Sequence, residues 1–193
     1  MANGIGRIVM EALKLECYTI DDIYALPEGE RAELIDGQIY YMASPTTVHQ
    51  ELISELLTII NNHIKAKKGG CKVYPPGLGV FLKKDDLTYL EPDLTVVCDP
   101  QKTASKKGCI GAPDWIIEIT SPSTATRDYL KKFNLYKAAE VREYWIIDPD
   151  AKSVAVYNFA CGEYAPEEYG FTDKIKVNIF EDLIIDFGEL DIG

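Results

Sequence analysis

Apolar positions along this chain recur with two periods, and the two periods lay out most of its elements. Val48, Leu52, Ile53, Leu56, Leu57, Ile60 and Ile64 return every three or four residues, which is the spacing of one buried face of an α-helix. Ser44-Pro45-Thr46-Thr47 suits the start of that helix, and residues 65–70, with two glycines, suit its end. Asp36-Gly37 separates Ala32–Ile35 from residues 38–42. Asp-Gly between apolar runs predicts a hairpin, because both turn residues need positive φ. Short apolar runs at 79–83, 89–98, 115–120, 143–147, 153–157 and 174–179 read as strands, with a further apolar piece at 183–187. A capping box at Thr19-Ile20-Asp21-Asp22 opens a short helix that stops before Pro27. Residues 128–140 read as a second substantial helix, with Ser123 as its N-cap, and the polar stretch 101–112 reads as a loop with room for a short helix. Strands outnumber helices, so a mixed β-sheet flanked by helices is the economical α/β architecture.

Composition narrows the class. A chain of 193 residues is long enough for one sizeable core, and a single domain over 1–193 is expected. No run approaches the roughly 20 apolar residues of a membrane span, and the N-terminal segment lacks a signal-peptide pattern. Five cysteines without a CxxC pair suggest neither a zinc site nor a disulfide framework, so a cytoplasmic setting is expected. The net charge of −11 argues against a general nucleic-acid coat protein. Residues 65–107 nevertheless hold nine lysines against five acids, whereas 140–193 hold four basic residues against thirteen acids. A basic face beside an acidic half is one reading of that asymmetry, and solvated loops are the other.

The candidate chemistry lies where acids interrupt apolar runs. Glu91-Pro92-Asp93 opens one strand, and Glu118 sits among Ile116, Ile117 and Ile119 in another, twenty-five residues on. Pro92 cannot donate to a sheet ladder, which puts Asp93 at a strand start near the rim. A carboxylate inside an apolar run needs a cation or donors if it is buried; otherwise it marks the solvent face of an edge strand. Two such acids on paired strands make a hard-cation site for Mg²⁺ or Mn²⁺. Asp128, Lys132 and Tyr136 follow four apart, so on an α-helix they share a face. From spacing alone, Asp128 and Lys132 form an exposed i,i+4 pair. A serine nucleophile at Ser121 or Ser123 has no histidine placed beside it by the sequence.

The order Glu-Pro-Asp, apolar strand with Glu, Ser-Pro-Ser, Asp-x-x-x-Lys-x-x-x-Tyr, then Glu-Tyr-Trp-Ile-Ile-Asp-Pro resembles the Uma-two (Uma2) family of restriction endonucleases, a branch of the PD-(D/E)XK nuclease superfamily. Glu33-Leu34-Ile35-Asp36-Gly37, His49 and residues 75–80 extend the likeness over most of the chain. The resemblance implies a restriction-endonuclease-like α/β fold and hydrolysis of DNA phosphodiester bonds. It implies that Asp93, Glu118 and the Ile119 carbonyl hold Mg²⁺ or Mn²⁺. The usual motif lysine would stand at position 120, which is Thr120 here, and the resemblance implies Lys132 in its place. Removing Lys132 is then expected to lower turnover more than stability. Glu33, His49, Asp128 and Tyr136 are possible accessory residues. DNA is the expected partner, with a homodimer as the possible assembly and no membrane. Two alternatives remain: a nuclease-fold protein that binds nucleic acid or protein without cutting, and a structural module whose acids merely sit at a sheet edge.

Overall fold

Alternation within the apolar runs sends their side chains to two faces of one sheet, and a helix covers each face. The structure is a computed structural model that describes residues 17–121, 128–162 and 164–193, with the backbone only at 128 and 129. In chain order the elements are α1 (Ile20–Tyr24), β1 (Ala32–Ile35), β2 (Gln38–Tyr41), α2 (Thr47–Ala66), β3 (Lys72–Tyr74), β4 (Val80–Phe81), β5 (Leu94–Val97) and β6 (Cys109–Ile110). There follow β7 (Trp115–Ile119), α3 (Phe133–Ala138), β8 (Glu143–Asp148), β9 (Ser153–Asn158), β10 (Glu167–Gly170), β11 (Lys174–Lys176) and β12 (Ile184–Asp186). Among the described residues the main sheet has six strands in the order β10-β9-β8-β7-β5-β3. Only β7 and β8 run parallel within it; the other neighbours are antiparallel.

Leu94, Val96, Trp115, Ile117, Ile119, Trp145, Ile147, Val154 and Val156 pack on one face, against Leu52, Ile53, Leu56, Ile60 and Ile64 of α2. Val97, Ile116, Tyr144, Ile146, Ala155 and Tyr157 occupy the other face, with Leu135 and Tyr136 of α3. Coverage on both faces explains why β5 and β7 read as unbroken apolar runs rather than alternating ones. The β1–β2 hairpin turns at Asp36 and Gly37, with φ of 48° and 77°, as the Asp-Gly signal requires.

The structure also departs from the sequence expectations. The run 89–98 is regular only over Leu94–Val97, because Pro92 interrupts the ladder; Tyr89 and Leu90 instead bridge singly to Leu34 and Val80. The stretch expected as a loop at 101–112 contains β6, paired in parallel with β4. The second helix is not α-helical throughout: Asp128–Lys132 forms a π-helical turn that runs into α3. Ser123, expected as its N-cap, lies outside the described residues. Cys71 and Cys98 form a disulfide, a bond that the cysteine spacing, read as no disulfide framework, did not suggest. Its cause is the antiparallel β3–β5 register, which pairs Lys72 with Val97 and so sets Cys71 opposite Cys98. No described helix is long and apolar enough to cross a membrane.

Candidate active site

The two motif acids meet because of strand register. Leu94 pairs with Ile117 in the antiparallel β5–β7 ladder, and one step further along that register Asp93 stands opposite Glu118. Leu94 and Ile117 both face α2, so Glu118, next to Ile117 on β7, projects toward the opposite side, while Asp93, just before β5, stays within reach of the start of α2. Asp93 Oδ2 accepts the Ile119 N–H at 2.8 Å, which fixes the carboxylate across the strand pair. Both acids are buried, at 8 % and 4 % exposure, so neither is on a solvent-facing edge.

Lys132 reaches this pair from the π-helical turn. Its Nζ lies 2.8 Å from Glu118 Oε1 and 2.9 Å from Glu33 Oε1, and the residue is 2 % exposed. The exposed Asp128–Lys132 pair expected from spacing therefore does not describe Lys132. The side chain of Asp128 lies outside the described residues. A π turn accommodates an extra residue and is often found at functional sites; here it feeds Lys132 inward. The neighbouring Lys131 is exposed and contacts Tyr40 and Gln38. From α3, the Tyr136 hydroxyl donates to Glu118 Oε1 at 2.7 Å. Burial, then the nearby Glu118 and Glu33 charges, hold the Tyr136 phenol well above its ordinary value, so it remains a neutral donor.

Glu33 on β1 is fully buried, and its Oε1 also accepts the Glu91 N–H at 3.1 Å. His49 occupies the third position of α2, whose N-cap Thr46 accepts the His49 N–H at 3.2 Å. That start directs the imidazole onto the acids, with Nε2 3.3 Å from Asp93 Oδ2. Burial lowers the His49 pKa, but the Asp93 hydrogen bond and charge, with the Ile119 carbonyl, outweigh it and raise the value. Thr120, where the superfamily lysine would stand, turns away from the acids: its N–H and Oγ1 both donate to the Ile147 carbonyl, at 2.8 and 3.3 Å.

Asp93, Glu118, Ile119, Thr120, Lys132 and His49 line one cavity of about 460 Å³, together with Arg31, which pairs with Glu91. Arg31 was not flagged in the sequence; the only signal was the acidic Glu91 in the Glu-Pro-Asp motif. The donor set suits a hard cation: two carboxylates from facing strand positions, with a backbone carbonyl at Ile119. Among the described residues no three His, Cys, Asp or Glu side chains form a metal-holding group.

A mixed sheet with paired acids at facing strand positions and helices on both faces defines a restriction-endonuclease-like nuclease fold. The family model described as "Uma2: Putative restriction endonuclease" matches residues 20–188, and the chain belongs to this family. A crystal structure titled as a putative nuclease belonging to DUF820, from Anabaena variabilis, superimposes with a TM-score of 0.73 at 25 % identity, covering 89 % of this chain and 96 % of that one. An uncharacterized protein of Synechocystis sp. is 29 % identical over 152 residues, 78 % of each chain.

Proposed function

We propose that this protein is a metal-dependent endonuclease that hydrolyses phosphodiester bonds in DNA. The register that sets Asp93 opposite Glu118, with the Lys132 ammonium 2.8 Å from Glu118, carries the reading. Membership of the Uma2 family and the likeness to a chain described as a nuclease support it. Asp93, Glu118 and the Ile119 carbonyl would hold Mg²⁺ or Mn²⁺. The bound cation would supply Lewis-acid stabilisation of phosphoryl charge and acidify a bound water. Lys132 orients the attacking water and offsets the charge that develops on the phosphoryl oxygens. Tyr136 fixes the rotamer of Glu118 through its hydroxyl, and Arg31, held by Glu91 at the cavity, would bring positive charge to the DNA backbone. His49 holds the Asp93 carboxylate through Nε2, at 3.3 Å.

One observation favours a protein that binds nucleic acid without cutting it: position 120 carries a threonine tied to Ile147, not a lysine. Incubation of purified protein with plasmid DNA, with Mg²⁺, Mn²⁺ or chelator, separates the two. Metal-dependent nicking by wild type that is absent in Asp93→Asn is expected. Equal nicking by both proteins would trace the activity to contamination.

A further inference from the structure

One buried ammonium stands between two buried carboxylates in this cleft, and the two carboxylates are not equivalent. Glu118 belongs to the strand pair that carries Asp93. Glu33 lies on β1, outside the six-stranded sheet. It is fixed there by β1–β2 pairing and by the Glu91 N–H on Oε1, a donor from the same tripeptide as Asp93. Its neighbour Leu34 is fully buried, so the strand cannot swing outward without exposing apolar surface.

A buried ammonium holds its place only while a counter-charge remains against it. Among the described residues Lys132 has two, at 2.8 and 2.9 Å. A divalent ion on Glu118 would draw on that carboxylate and repel the ammonium. Glu33, at 2.9 Å, would then be the described acid that holds Lys132 in place. We propose that Glu33 is a positioning residue that anchors the Lys132 ammonium beside the reacting phosphate while Glu118 is engaged by the divalent cation. The inference rests on the roles assigned to Glu118 and Lys132 above. It gives Glu33 a part distinct from metal ligation.

Amine-selective acetylation of the folded protein, with the Lys132 peptide quantified by mass spectrometry, reads the position of the ammonium without reference to activity. Wild type should keep Lys132 protected with and without Mn²⁺. Glu33→Gln should keep it protected without Mn²⁺, because Glu118 still holds it, and lose protection when Mn²⁺ is added. Its kcat for DNA cleavage should fall by up to about a hundredfold, the effect of a displaced catalytic group, with KM nearly unchanged. Mn²⁺-independent protection in Glu33→Gln would overturn the positioning role. So would a calorimetric loss of Mn²⁺ affinity equal to that of Glu118→Gln, which would make Glu33 a ligand. If Glu33→Gln does not fold, Lys132→Met serves as background, since it leaves no unpaired ammonium. There, adding Glu33→Gln should leave Mn²⁺ affinity unchanged, and a further fall would overturn the proposal. Absence of Mn²⁺ binding in wild type would instead overturn the nuclease reading, and the proposal with it. Binding in wild type with Glu33-independent protection overturns the positioning role alone.

Discussion

Replacing Lys132 by methionine keeps most of the unbranched side chain and removes its ammonium. Two carboxylates, Glu33 and Glu118, then share a site that is 0 % and 4 % exposed, with the Tyr136 hydroxyl still donating to Glu118. Removing one partner of a buried ion pair costs about 3–5 kcal/mol, because the remaining charge is uncompensated. A domain of this size loses roughly 2–4 °C of melting temperature per kcal/mol, so Lys132→Met should melt about 6–20 °C below wild type. The expectation drawn from the resemblance, that removing this lysine lowers turnover more than stability, is set against its burial, which predicts a large loss of stability as well. Lys131→Met is the control: that lysine is exposed, and its loss should cost no more than about 1 kcal/mol. Thermal unfolding followed by circular dichroism at neutral pH, without added metal, compares the three proteins. A Lys132→Met melting temperature within about 2 °C of wild type would refute the view that this ammonium compensates two buried acids.

Three further outcomes follow from other contacts. The folded pKa of His49 lies above the ordinary imidazole value of 6.5, so its stabilising effect is complete below that value and lost as pH rises through the folded one. The melting difference between wild type and His49→Gln, without metal, should therefore be largest in mild acid and shrink toward alkaline pH; a difference that grows with pH would contradict the Asp93 contact. Thiol titration of denatured, unreduced protein should find three free cysteines, Cys17, Cys109 and Cys161, and five after reduction, whereas five before reduction would exclude the Cys71–Cys98 bond. Leu56→Ala, in the α2 face of the core, should destabilise by about 2–5 kcal/mol in urea titration, while Ile184→Ala at an exposed position should have little effect.

Long patterns were legible in the sequence and short or distant ones were not. The α2 stripe and the apolar runs of β5, β7, β8 and β9 announce a sheet covered on both faces, because burial demands their periodicity. The acids Asp93 and Glu118 could be singled out because carboxylates are costly in such runs. Strands β3, β6 and β10 were missed: β3 and β6, at three and two residues, are too short to carry a period, and β10 is the polar edge segment Glu-Glu-Tyr-Gly. The Cys71–Cys98 bond depends on strand register, which cysteine spacing does not encode. Lys132 was placed on the right helix but not at its true depth, since α-helical spacing says nothing about a π turn. The Glu33–Lys132 pair joins the first hairpin to the last large helix, a contact that only the packing of β1 beside the sheet creates. The Uma2 resemblance supplied the order of the motifs; it did not assign Glu33 a partner.

Anomalous diffraction from crystals soaked in Mn²⁺ tests the shared cation site most directly. A peak between the Asp93 and Glu118 carboxylates, within bonding distance of both and of the Ile119 carbonyl, and absent in Glu118→Gln crystals, is the predicted result. No peak there at saturating Mn²⁺, or a peak of equal height in Glu118→Gln, would contradict a metal-dependent nuclease built on these two acids.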